Sequence, residues 1–177
     1  MVYNNKKSDR EMKRREFMVL GSLVGISPYL KASPLASSHK AFAEVKETIA
    51  SVQAHMFPEN TPLPSAQQMR TIVFLEETLF HPTYDKDIRA FVIEGAKQLM
   101  VREKGKFTTY DSTQKEKALR SYEASRYGRN WLSRIMVLSM EAIFSDPIYG
   151  SNIEEKGWQA VHSFGGLPRP KTRYIGR

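Results

Sequence analysis

The chain has 177 residues, 27 Lys and Arg against 19 Asp and Glu (formal charge +8), and no cysteine. Without thiols it carries no disulfide, no thiolate-held iron–sulfur cluster, no haem attached through Cys-x-x-Cys-His and no lipidated-cysteine anchor. Residues 1–43 contain eight of the basic residues and three of the acids, so the remainder carries only +3, and the basic balance is no nucleic-acid footprint.

From the N-terminus, Lys13-Arg14-Arg15-Glu16-Phe17 stands directly ahead of a mildly apolar run ending at Leu30. A twin-arginine pair in that position reads as a twin-arginine export signal, with Arg14, Arg15 and Phe17 as its recognition residues. The apolar run, softened by Gly21, Gly25 and Pro28, is shorter than the roughly 20 residues a membrane-spanning helix needs. Ala41-Phe42-Ala43 has the small-x-small spacing of a cleavage site and places the mature start at Glu44; the stretch 32–37 is a second cleavage region. The expected division is a signal over 1–43 and one domain over 44–177, helical to 145, with an arm over 146–177. The competing reading is a basic arm running into an amphipathic helix, but the apolar spacing over 17–30 is irregular. The twin-arginine route exports proteins already folded, so it implies the translocase as a partner and something assembled before export.

Phe42, Val45, Ile49, Val52 and Met56 recur at spacings of 3 and 4, which predicts a helix over 40–56. A proline-punctuated loop follows, and Ser65 with Gln68 predicts a capping box opening a second helix that stops at His81-Pro82. Asp85 or Asp87 starts a third helix through Leu99 and Met100, ending near Gly105. Phe107 to Tyr110 is short and turn-like. Asp111 or Ser112 caps a fourth helix through Tyr122. Gly128 marks a bend before a fifth, Trp131 to Phe144, apolar on more than one face and therefore expected to be the most buried. Beyond Asp146 come turn residues, one helical turn near Gly157 to Val161, and a Gly- and Pro-rich tail. The fold class expected is a small all-α domain of about five helices with a long irregular C-terminal arm.

Candidate chemistry is sparse. His39, His55, His81 and His162 are not spaced for a metal on one helix face, and there is no His-Glu-x-x-His. No glycine fingerprint for a dinucleotide, no Gly-x-Ser-x-Gly and no Ser-x-x-Lys occurs. Met136 and Met140 lie four apart, where core packing is the natural reading. The expectation is a chain without catalytic residues, bound metal or cofactor of its own, exported with a partner that has them.

Asp146-Pro147-x-Tyr149-Gly150-x-Asn152, then Gly157-Trp158 and Gly165-Gly166, resembles the signature of the gluconate 2-dehydrogenase subunit 3 family. Phe57-Pro58 and Pro64-Ser65-Ala66 resemble its earlier landmarks. Ser151 stands where the family usually has a second glycine, which leaves that backbone less free to adopt positive φ. The resemblance implies a non-catalytic small subunit of a periplasmic, inner-membrane-associated sugar or sugar-acid dehydrogenase acting on CH–OH donors. It further implies a large flavoprotein partner of the glucose–methanol–choline type carrying FAD, and a multihaem cytochrome c that receives the electrons. The small subunit would supply the export signal and assist maturation of the flavoprotein.

The aromatic and arginine content of the arm suits partner anchoring. Tyr149, Asn152, Trp158, Arg169, Arg173 and Tyr174 are the interface candidates, with Arg177 beside them. The same residues could instead wrap this chain's own helical core. The alternative function is a free-standing periplasmic binding or chaperone-like module with no dehydrogenase partner.

Overall fold

The computed structural model describes residues 34–173, and among them the architecture is all-α, with six helices and no strand. In chain order these are α1 (Pro34–Met56), α2 (Thr71–Leu79), α3 (Lys86–Arg102), α4 (Ser112–Glu123), α5 (Arg126–Phe144) and the short α6 (Lys156–Ala160). Three-residue 3₁₀ turns sit at Phe107–Thr109, Pro147–Tyr149 and Ile153–Glu155.

The apolar face read from spacing is the one that α1 buries. Phe42, Val45, Ile49 and Val52 are all at most 1 % exposed and enter one core with Leu75, Leu79, Val92, Leu99, Trp131 and Ile135. The helix begins at Pro34, six residues earlier than spacing indicated, because Ala36, Ser37, Ser38 and His39 add helix without adding apolar period. It therefore runs without a break across the boundary drawn at residue 43.

α2 departs from the sequence reading at its start. The Ser65 box exists: Ser65 N–H donates to Gln68 Oε1 at 3.0 Å and Gln68 N–H to Ser65 Oγ at 3.2 Å. It closes a turn and not the helix, because Arg70 takes a left-handed φ of 53° and α2 starts only at Thr71. The later caps fall where spacing placed them. Asp85 accepts from the Asp87 and Ile88 N–H groups, and Asp111 forms a reciprocal box with Gln114, each cap stabilising its helix by about 1 kcal/mol. α5 is capped by Ser125, so Gly128 lies inside its first turn and is not a bend before it. A methyl group on Gly128 would sit 2.1 Å from the Tyr122 carbonyl oxygen, so the glycine lets α5 leave α4 at close quarters.

α5 carries eight buried residues, more than α2, α3, α4 or α6, in keeping with its apolar breadth. Trp131 is fully buried and donates from Nε1 to the Val92 carbonyl at 2.9 Å. Gly95 faces its indole so closely that a Cβ there would lie 2.0 Å from Cδ1. Tyr122 donates to the Gly95 carbonyl at 3.0 Å, and burial pushes its hydroxyl pKa upward. Not every apolar residue of α5 faces in: Val137 is 42 % and Met140 44 % exposed, and of the methionine pair only Met136 is partly buried against the core.

Candidate functional site: a C-terminal clasp

Ending a buried helix poses a problem. The last carbonyls of α5 have no intrahelical donors, and Ile143 beside them is fully buried. The segment after α5 resolves this with side chains. Ser145 N–H and Oγ–H both turn back to the Ala142 carbonyl. Trp158 Nε1–H donates to the Phe144 carbonyl at 2.8 Å, and Asn152 Nδ2–H to the Ser145 carbonyl at 2.8 Å. Asn152 Oδ1 then accepts from the Gly157 N–H at 2.8 Å. One fully buried amide thus joins the end of α5 to the start of α6.

The glycines and turns of this segment follow from that packing. Gly150 adopts a φ of 82°, which glycine takes without steric cost. A Cβ on Gly157 would stand 2.0 Å from the Ile143 carbonyl oxygen, so α6 can approach α5 only with hydrogen at that position. Gly165 abuts Trp158, whose Cη2 a methyl group would meet at 2.1 Å. Ser151 is outside the left-handed region. Its buried hydroxyl donates to the Met69 carbonyl, 82 residues away in sequence. The serine is therefore a cross-link and no handicap to the turn.

The same contact joins the two groups of family-like residues. Phe57, Ala66, Met69 and Ile143 form a second small core, with Leu63, Phe144 and Ile153 packed against it. Ala66 N–H donates to the Phe57 carbonyl at 3.0 Å. The landmarks near residues 57–66 and the motif beginning at Asp146 are thus two walls of one structure.

Charge closes the outer side. Arg169 donates from Nε to Asp146 at 2.6 Å and from Nη2 to Glu155 at 3.0 Å, while its guanidinium lies 4.5 Å from the Trp158 ring centroid. Burial works to raise the Asp146 carboxyl, but the Ile148 N–H and Arg169 outweigh it and hold that pKa below the usual range. Arg173 bridges the Tyr149 carbonyl at 2.9 Å and the Glu77 carboxylate on α2.

Of the six interface candidates, Asn152 and Trp158 are buried and engaged within the chain. Arg169 and Arg173 are tied to carboxylates of the same domain. Tyr149 is half-buried and contributes its carbonyl. Tyr174 and Arg177 lie outside the described residues, as do Arg14, Arg15 and Phe17. The arm's most exposed large hydrophobic side chains are two outside those six: Phe164, one of the arm's aromatic residues, is 76 % exposed, and Leu167, which the sequence did not single out, is 85 % exposed. Gly165-Gly166 between them was the available signal.

A second feature is a half-open cavity of about 290 Å³ against α1, α4 and α5, with Met56, Leu119, Leu132 and Met136 as its apolar lining. His55 pairs with Glu116 at 2.8 Å, and Arg120 binds the same carboxylate at 2.8 Å. The hydrogen bonds from His55 and then Arg120 hold Glu116 below the usual carboxylate range. Spacing gave no hint of this pair, whose members are 61 residues apart. Among the described residues no three His, Asp or Glu side chains group as a metal site.

The family model for gluconate 2-dehydrogenase subunit 3 matches residues 43–166. The chain belongs to that family. The matched span takes in both walls of the clasp and ends at Gly166, so Arg169 and Arg173 reinforce it from outside the shared region. No match to this subunit 3 chain was found among curated proteins or among solved structures.

Proposed function

We propose that this chain is the non-catalytic small subunit of a periplasmic, flavin-dependent gluconate 2-dehydrogenase complex. In this reading it carries the complex through the twin-arginine translocase and assists maturation of a large flavoprotein of the glucose–methanol–choline type. That partner holds FAD, oxidises the CH–OH donor and passes electrons to a multihaem cytochrome c at the inner membrane. The single observation carrying the reading is the family match over residues 43–166. The Arg14-Arg15 pair ahead of a short apolar run supports the export part. The roles assigned to the partner are what the resemblance to the family implies.

The clasp supports a docking position for the partner on the outer side of the arm. Asn152 and Trp158 are used in holding the arm to α5, which leaves Phe164 and Leu167 as the arm's most exposed large apolar side chains. Exposed apolar side chains on a held loop suit an interface core.

Two experiments test the reading. Replacing Arg14-Arg15 by Lys-Lys should remove the partner's dehydrogenase activity from periplasmic fractions, and persistence of that activity there would defeat the escort role. Changing Phe164 and Leu167 together to Glu should abolish co-purification of the flavoprotein while leaving the subunit's melting temperature within about 2 °C, since exposed sites contribute little to stability. A subunit that purifies alone from cells expressing the flavoprotein would favour a free-standing module.

A further inference from the structure

Ala41-Phe42-Ala43 has the spacing an export peptidase reads, yet it lies within α1, preceded by seven helical residues. Phe42 is 1 % exposed. Its ring meets Phe80 edge-on at 5.6 Å, His39 stacks on Phe80 at 3.6 Å, and the Arg89 guanidinium lies 5.4 Å from the Phe80 centroid. Residues from α1 and α3 thus close around the end of α2, and the candidate cleavage segment is part of that closure.

A peptidase takes its substrate as an extended strand, whose backbone N–H and C=O groups pair with the enzyme. In α1 those groups are committed to the i to i−4 ladder. Presenting residues 41–43 would require unwinding the first turns of α1 and drawing Phe42 out of the core. The twin-arginine route delivers its cargo folded, so this protection would persist when the peptidase is met.

We propose that Ala41-Phe42-Ala43 is not cut, and that residues 39–43 remain in the exported protein as the first part of its folded domain. The export half of this statement rests on the twin-arginine reading above; the folded-domain half rests on α1 alone. Ala36-Ser37-Ser38 repeats the small-x-small spacing in the opening turns of α1, where Ala36 and Ser37 are exposed and helix ends open most readily. A cut there would leave His39 and Phe42 in place.

Intact mass and N-terminal sequencing of the periplasmic protein decide the matter. A start at His39 or at any earlier residue is expected, whereas a start at Glu44 overturns the proposal. If nothing reaches the periplasm, it is the export reading that fails, and the full-length protein purified from the cytoplasm still tests α1. Its incubation with leader peptidase should give no cut after Ala43 unless urea is added; cutting of the native protein there overturns the proposal. Phe42→Ala in the same protein should lower the melting temperature by about 10 °C. If that variant does not fold, Phe42→Leu should melt a few degrees low, and an unchanged value for the variant measured would place Phe42 outside the core.

Discussion

Asn152→Ala tests the clasp at its centre. The wild-type amide donates to the Ser145 carbonyl and accepts from the Gly157 N–H, both at 2.8 Å, with the residue 0 % exposed. Alanine makes neither bond and leaves a buried acceptor and a buried donor without partners, each costing about 1–3 kcal/mol. Asn152 also has a φ of 47°, a left-handed conformation that asparagine tolerates and alanine adopts at a further cost of about 1 kcal/mol. The combined loss is about 4 kcal/mol, a large share of the roughly 5–15 kcal/mol that holds a domain folded.

Urea unfolding followed by circular dichroism measures this loss. Asn152→Gly separates its parts, because glycine accepts the φ but not the bonds, so Gly should be about 1 kcal/mol better than Ala here. Opening confined to the arm would escape a global probe, so exchange of the Gly157 amide hydrogen is the companion measurement and should accelerate at least a hundredfold, as about 2.7 kcal/mol of lost protection implies. A stability change under 1 kcal/mol with Gly157 exchange unaltered would refute the assignment of Asn152 as the joint between α5 and α6.

Trp158→Phe should cost about 1 kcal/mol through the lost bond to the Phe144 carbonyl, and Trp158→Ala about 3–5 kcal/mol through the cavity as well, both read from urea midpoints. Gly157→Ala should disrupt the clasp, because the clash is with the Ile143 carbonyl and no side chain can move aside; wild-type resistance to limited proteolysis of the arm would contradict this. Gly95→Ala should lower the melting temperature by displacing the Trp131 indole, and near-ultraviolet dichroism should report the shift. Acid should loosen the clasp. The Asp146 pKa is depressed in the folded protein, so its contribution is present above the unfolded value near 3.9 and fades as pH falls through the lower folded value. In Arg169→Ala that part of the acid sensitivity should shrink, which proteolysis of the arm between about pH 5 and 2 would show.

The helices were legible where burial is local and periodic. Phe42 to Val52, and the caps at Asp85 and Asp111, depend on neighbours within four residues, and sequence displays these. Three features depended on something else. The opening of α1 is built from Ser, Ala and His, which add helix without adding a face. The Ser65 box signals a turn as readily as a helix, and the left-handed Arg70 that separates the two leaves no compositional mark. In α5, apolar breadth concealed that Val137 and Met140 face outward. The clasp was readable as a set of residues but not as an object, because its joints are long-range: Ser151 with Met69, Arg173 with Glu77, Arg169 with Asp146.

That distinction bears on what a family signature reports. An all-α domain whose last long helix is buried must find donors for that helix's final carbonyls without admitting water, and side chains returning from a following arm supply them here. Five of the signature positions contribute to that closure. Asp146 caps the first 3₁₀ turn after α5, Gly150 and Gly157 permit the close path, and Asn152 and Trp158 provide the donors. Residues so tightly used by the fold have little surface left for recognition. A contact with a partner is better sought on side chains the clasp holds in place but does not consume, and Phe164 and Leu167 answer that description. The motif that identifies the family and the surface that would define its partner are therefore separable, and mutations in the two should fail differently: clasp variants by unfolding, outward variants by losing the complex while staying folded.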